Sequence, residues 1–452
     1  MHQLLSDATA RAQRYLEGLP ARPVSPSASA LAELKTFATS LQDRPIDPAQ
    51  VLEELDAIGS PATVATAGGR FFGFVIGGSL PAALAANILA AAWDQNAGLE
   101  ISSPVNAALE KVCRGWLTSL FGLPKDAEVG FATGATMANF AGLAAARHAV
   151  LAAQGWDVEA LGLSGAPPIT VIVSQEVHVS LLKALSMLGL GREKVVKVPV
   201  DGQGRMVPGQ MPHISGPTIV CIQAGNVNTG AFDPARDIAS KLRGTGAWIH
   251  VDGAFGLWAA ASPSKRYLVD GLQDADSWAT DAHKWLNVPY DSGLVFVREP
   301  RHLNAAMSSS AAYLIEGGTR DPHLFVPEIS RRARAVEIWA ALRSLGKDGL
   351  AALIDTSCAH AQRMATALRR AGYQVLNEVV INQVLVSFGS PEVTRRVITT
   401  IQQDGTCWCG GTVWQGHTAM RISVSSWATT DQDVDNSLEA ILRIASETCP
   451  PA

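Results

Sequence analysis

No apolar run in this 452-residue chain is long enough to cross a bilayer: the longest, Pro81 to Trp93, is close to the length of a buried helix. The amino-terminal stretch MHQLLSDATARAQRYLEGL interrupts its apolar residues with polar ones, so it lacks the continuous core of a secretory leader and reads as a surface helix. There is no run of Lys or Arg either. With a formal net charge of -5, nothing supplies the basic footprint that phosphate backbones require, and nucleic acid is excluded as an expected partner. Cysteine is sparse. Cys113, Cys221, Cys358, Cys407, Cys409 and Cys449 are scattered, which suits reduced thiols in a cytoplasmic protein better than a disulfide framework. Cys407-Trp-Cys409 has no matching Cys/His pair nearby, so no metal site is expected. Charge is also scarce, at 17% against 47% apolar residues, which leaves apolar area for a subunit interface to cover. A homodimer is expected, with no membrane partner.

What is present is length enough for two or three packed regions. Pro20 to Ser29 is rich in Pro, Ser and Ala, and Gly68-Gly69 makes a second break, so residues 1–75 read as a helical, dimer-forming arm. From about Phe131 to Arg298 the pattern alternates. Short β-branched runs (Ile169 to Val173, Thr218 to Ile222, Trp248 to Val251, Gly293 to Val297) take turns with helical segments (Ala138 to Ala153, Val179 to Leu188). That alternation predicts βαβ units, an α/β fold with a mostly parallel sheet, and ligands beyond the carboxyl ends of its strands. This large domain is placed at 76–346. A helix over Ser330 to Leu345, carrying Arg331, Arg332 and Arg334 as one polar cluster, leads into a small α/β domain at 347–452. There, Val375 to Phe388 and Ala419 to Val424 read as strands and Gln432 to Ala445 as a helix.

Four segments can carry chemistry. In Trp278-Ala-Thr-Asp-Ala-His-Lys-Trp-Leu286, Lys284 follows His283 in a largely apolar stretch. Desolvation lowers a lysine's pKa and makes it a competent amine toward an aldehyde. Asp252 ends a predicted buried strand, where a carboxylate requires a charged partner or caps a turn; a protonated pyridine nitrogen would be such a partner, and the small Ala254 would let a flat ring lie close. His178 stands between a strand and a helix, placed either to stack on that ring or to cap. Gly134, Ala135 and Thr136 open a helix, the arrangement in which backbone N–H groups and the helix dipole hold a phosphate. It is not a P-loop, because the Gly-Lys-Ser/Thr ending is missing.

In this order the set resembles the fold-type I enzymes of pyridoxal 5'-phosphate (PLP), and within them the group II amino-acid decarboxylases, over roughly residues 70 to 430. The resemblance implies a seven-stranded-type sheet, PLP as cofactor, a homodimer with its active site at the subunit interface, and decarboxylation of an L-amino acid, aromatic ones among the candidates. It implies that Gly134, Ala135, Thr136 and His283 take the phosphate, His178 stacks, Asp252 pairs with the ring nitrogen beside Ala254, and Lys284 holds the cofactor as a Schiff base. Gly225 to Asp233 resembles the family's loop near the cofactor. Ala312-Tyr-Leu314 resembles the catalytic loop, which makes Tyr313 the residue that returns a proton to the substrate carbon. The pocket segments Arg70 to Gly78 and Asn96 to Ser103 depart from the animal and plant aromatic decarboxylases. Phe71, Phe72, Phe74 and Trp93 line an aromatic site or belong to the core, and Arg421 binds a carboxylate or steadies the small domain. The cofactor motifs leave open an aminotransferase, an aldehyde-forming oxidative deaminase, and a non-catalytic dimeric scaffold.

Overall fold

The computed structural model describes residues 1–308 and 320–448. The chain forms two compact units: one from Met1–Gly78, Arg363–Leu376 and the residues from Val384 on, the other from Ser79–Gln362 with Asn377–Gln383.

The first unit opens with α1 (His2–Gly18), α2 (Ala28–Glu33) and α3 (Pro48–Ala62), none of which buries a residue. The amino terminus is thus the surface helix its sequence predicts. Ser27 and Asp47 accept N–H bonds in the first turns of α2 and α3, and Pro48 fills a position whose own N–H would go unused.

The second unit contains α4 (Pro81–Trp93), α5 (Pro104–Phe121), β1 (Glu128–Ala132), α6 (Ala135–Ala152), α7 (Val158–Leu161), β2 (Thr170–Ser174), α8 (Val179–Met187) and β3 (Val196–Val198). It continues with β4 (Thr218–Gln223), α9 (Ala235–Leu242), β5 (Trp248–Asp252), β6 (Ser277–Asp281), β7 (Gly293–Val297) and α10 (Pro300–Met307). The long α11 (Ala335–Arg370), broken at Gly346 where φ is 60°, supplies residues to both units. Seven strands form one sheet in the order β1-β7-β6-β5-β4-β2-β3. β7 runs antiparallel to both neighbours and the other pairs are parallel. β1, β4, β5, β6 and β7 are buried at every position, as expected of a sheet covered on both faces. The α/β architecture is the one the alternation predicts.

α6 lies across β5, β6 and β7. Its buried face is mostly alanine, which lets helix and sheet approach closely, and Gly142 is required there because a Cβ would stand 2.8 Å from His250 Cε1.

The rest of the first unit is β8 (Gln374–Val375), β9 (Gln383–Ser387), α12 (Pro391–Asp404), β10 (Gly410–Trp414), β11 (His417–Ser423) and α13 (Asp431–Thr448), with sheet order β10-β11-β9-β8. Trp408 stacks on Phe71 and Phe74, with ring centroids 5.0 and 5.2 Å away. Phe71 and Phe72 are therefore core residues of this unit, while Phe74 keeps an exposed face. Arg421 is half-buried on β11, and burial pushes its pKa down.

Several boundaries differ from expectation. Residues 330–334 are not helical; α11 starts only at Ala335 because Arg331, Arg332 and Arg334 bond elsewhere. They do not form one cluster either: Arg331 meets Glu110 at 2.9 Å, Arg332 meets Glu337 at 2.6 Å, and Arg334 meets Asp291 at 2.9 Å. The single strand expected over 375–388 is two, parted by a turn in which Val379 has positive φ. α4 buries only Ala83, leaving Ile88, Leu89 and Trp93 open to solvent.

A histidine lies at the middle of β5. His250 is wholly buried, with Nδ1 2.8 Å from Ser277 Oγ and Nε2 2.8 Å from Asn139 Oδ1, and burial pushes its pKa down to about 3. A folded value below the unfolded one of about 6.5 means that the unfolded chain binds the extra proton. The stability that neutral His250 contributes is complete above pH 6.5 and is lost as the pH falls toward 3. The stability advantage of wild type over His250→Gln, measured by urea unfolding, should therefore shrink by about 3 kcal/mol between pH 7 and pH 4. A gap that does not change with pH would remove His250 as the titrating group.

Candidate active site

The polar residues converge at the carboxyl edge of the seven-stranded sheet. β1 passes through Gly134 into α6, β2 leads to His178, β5 ends in Asp252, and β6 ends in Asp281, three residues before Lys284. Asp281 ties one side together. Its Oδ2 is 2.9 Å from Lys284 Nζ, and its Oδ1 accepts the N–H of Ala135, the first residue of α6, and lies 3.5 Å from His283 Nε2. His283 Nδ1 accepts the Ser292 N–H at 3.1 Å, so a neutral ring carries its proton on Nε2, toward Asp281. Burial lowers the His283 pKa, and the ring stacks on Tyr290 at 4.2 Å. Space is tight: a Cβ on Gly293 would stand 2.4 Å from Gly134 Cα, and one on Gly134 would stand 3.1 Å from His283 Cε1.

On the other side is Asp252, only 5% exposed. Burial raises its pKa, while the charges of His178 and Lys284 and the amide of Asn139 favour the ionised form. The Ala254 N–H donates to its carboxylate at 3.3 Å. Asn139 Nδ2 is buried and reaches no acceptor at hydrogen-bonding distance, although its other amide atom bonds His250. His178 caps α8, its Nδ1 accepting the Ser180 N–H, and Thr136 is half-buried in the first turn of α6. Beside β4, a Cβ on Gly225 would meet Gly256 Cα at 3.0 Å, so the Gly225 to Asp233 loop packs on the segment that follows Asp252. Within that loop Asp233 accepts the N–H groups of Met206 and Gln223, and burial pushes its pKa up to about 6.

The structure thus brings together Gly134, Ala135, Asp252, Ala254, His283 and Lys284, and sets His178 close enough for its charge to act on Asp252. Tyr313 lies outside the described residues. The sequence reading missed Asp281, Asn139, His250 and Tyr290. Asp281 had a legible signal, being a carboxylate at the end of a buried strand, as Asp252 is. Tyr290 and Asn139 had none, since only the fold sets them against His283 and Asp252.

A pyridoxal phosphate group fits this donor set. The buried Asp252 carboxylate suits a protonated ring nitrogen, the unpartnered Asn139 Nδ2 reinforces that acidic corner, and Ala254 leaves room for a flat ring. The first turn of α6 with His283 Nε2 suits a phosphate, and the Lys284 amine suits an aldehyde.

Comparison with known proteins agrees with this fit. Residues 31–389 match the pyridoxal-dependent decarboxylase conserved domain. The chain is 29% identical over 334 residues to an acidic amino acid decarboxylase of Mus musculus, covering 68% of this chain and 58% of that protein's length. It is 26% identical over 378 residues to an aromatic-L-amino-acid decarboxylase of Bacillus atrophaeus, covering 79% and 75%. Its fold is similar to that of Oryza sativa TDC solved with PLP and tryptamine, with a TM-score of 0.90, 22% identity, and 99% and 97% of the two chains covered. With the match spanning most of its length, this chain belongs to the pyridoxal-dependent decarboxylase family, carboxy-lyases that work with pyridoxal 5'-phosphate.

Proposed function

We propose that this chain decarboxylates an L-amino acid to its amine, with Lys284 as the residue that carries the cofactor. The observation that carries the reading is the meeting, at one edge of one sheet, of a lysine amine, a buried carboxylate and a helix amino terminus. When bound, the cofactor supplies an electron sink for the pair left on the substrate α-carbon as carbon dioxide departs. The protein's own residues do the rest. With the cofactor bound, Asp252 would hold the ring nitrogen protonated, His178 would stack on the ring, and Gly134, Ala135, Thr136 and His283 would hold the phosphate. Lys284 would hold the cofactor aldehyde and supply the amine that releases the product. Tyr313 delivers the proton that replaces the lost carboxylate.

Relatives that act on acidic and on aromatic amino acids stand at similar identity, so the substrate side chain is left unassigned in this proposal. We also propose a homodimer, supported by Ile88, Leu89 and Trp93 on α4 and Val105, Val112 and Trp116 on α5, all of which expose apolar surface.

Four measurements test these roles. Borohydride treatment of the holoprotein should fix the cofactor on Lys284 in a peptide map, and a panel of L-amino acids should yield amine and carbon dioxide in equal amounts. Stoichiometric keto acid, or ammonia with peroxide, would overturn the decarboxylase reading. Asp281→Asn keeps an acceptor for the Ala135 N–H but removes a negative charge from the phosphate end. Cofactor titration by fluorescence should show tighter binding, by roughly the 1 kcal/mol that a charge at a helix terminus is worth; weaker binding would mean that Asp281 chiefly orients Lys284. Finally, Tyr313→Phe should still bind cofactor but, in the presence of oxygen, divert product from amine to aldehyde. An unchanged product ratio would remove Tyr313 from the mechanism.

A further inference from the structure

We propose that His250 and Asn139 are positioning residues: a one-way hydrogen-bonded relay starting at Trp248 keeps Asp252 ionised toward the ring nitrogen of the cofactor. The inference rests on the role given to Asp252 above and extends it into the core of the sheet.

The strand makes the relay available. Trp248, His250 and Asp252 alternate along β5 and so share one face, while Ser277 on β6 is the register partner of His250 and Asn139 projects from α6. The accepting end at Asp252 fixes its direction. Trp248 Nε1–H can only donate, and it donates to Ser277 Oγ at 2.8 Å. The Ser277 hydroxyl proton then points to His250 Nδ1, also at 2.8 Å. With Nδ1 accepting, the imidazole proton sits on Nε2 and is donated to Asn139 Oδ1 at 2.8 Å. The Asn139 amide is thereby set with its NH2 group on the Asp252 side, beyond hydrogen-bonding distance of the carboxylate, where its dipole favours the charged form.

Running the relay backwards would fail at the Asp252 end. Ser277, with two lone pairs, can accept from Trp248 and His250 together, but Asn139 would present its carbonyl oxygen to a carboxylate. Reversal is consistent only if Asp252 is itself protonated, so the direction of the chain and the charge of Asp252 are coupled. Every member is buried, and His250 stays neutral because burial holds its pKa near 3. The other ionisable groups acting on Asp252 are His178, Lys284 and Asp281. None of them bonds to the relay, which therefore acts on Asp252 independently of the groups that carry the phosphate and the aldehyde end.

The test reads the ring nitrogen directly. Each variant is loaded with pyridoxal 5'-phosphate labelled with nitrogen-15 in the ring, and the nitrogen shift is followed by NMR as a function of pH. Wild type should keep the ring nitrogen protonated across the neutral range, and Asp252→Asn should lose that proton. His250→Phe should lower the protonation constant several-fold, because the Asn139 dipole is no longer held toward Asp252. His250→Gln, which can still donate to Asn139, should recover most of it. Should His250→Phe fail to fold, Asn139→Leu breaks the same link and is expected to give the same drop. If Asp252→Asn keeps the ring proton, the role of Asp252 is wrong. If Asp252→Asn loses the proton but His250→Phe or Asn139→Leu titrates as wild type, the relay is overturned while Asp252 stands.

Discussion

The arrangement of the second unit depends on one carboxylate held out of water. Asp252 ends β5 at the carboxyl edge of the sheet, where desolvation raises its pKa, and an unpaired charge there is costly. The neighbourhood is organised to make that charge tolerable without discharging it. His178 and Lys284 act on it electrostatically from the loops that follow β2 and β6, the Ala254 N–H donates to it, and the Asn139 amide dipole favours its charged form. Lys284 itself lies 2.9 Å from Asp281. A carboxylate stabilised largely from a distance is suited to receive a cation rather than to keep one.

The two acids divide the pocket. Asp252 is acted on from a distance, while Asp281 meets its donors directly: the Lys284 amine, the His283 ring and the first N–H of α6. Opposite ends of one flat, doubly charged molecule make such different demands. A ring nitrogen needs an anion that persists, whereas a phosphate needs donors and is opposed by any fixed negative charge. Asp281 therefore stands where it can hold the donors in place before a phosphate arrives, and the tight approach of Gly293 to Gly134 keeps the strand and the helix start close enough for one carboxylate to reach both.

Legibility in the sequence followed the range of the interaction that fixes each feature. The α/β alternation, the surface helix at the amino terminus and the strand ends at Asp252 and before Lys284 are set by local patterns of apolar and β-branched residues, and these could be read directly. Residues 330–334 could not. Three arginines in five positions look like a helical face, but Arg331, Arg332 and Arg334 each answer a different acid at Glu110, Glu337 and Asp291, and only tertiary contact reveals those partners. The same holds for Phe71 and Phe72, which read equally well as pocket wall or core until Trp408, more than three hundred positions away, settles against the segment. In the site itself, the residues that touch small groups of known chemistry were legible, and the residues that act on those residues were not.

His250 shows why that second set is hard to see and why it matters. A histidine in the middle of an apolar strand invites a bland reading as a satisfied core polar group, and by its hydrogen bonds it is one. What distinguishes it is that its two partners belong to a chain whose ends have fixed polarity, from Trp248, which can only donate, to Asp252, which when ionised can only accept. A core polar network without such ends can reverse at little cost and carries no preference from one end to the other. With both ends fixed, each dipole supports the next, and the low dielectric that makes an unpaired group expensive also makes each aligned one count for more. The cost of burying four polar side chains between a sheet and an alanine-lined helix is then offset at the place where the chemistry needs a lasting negative charge.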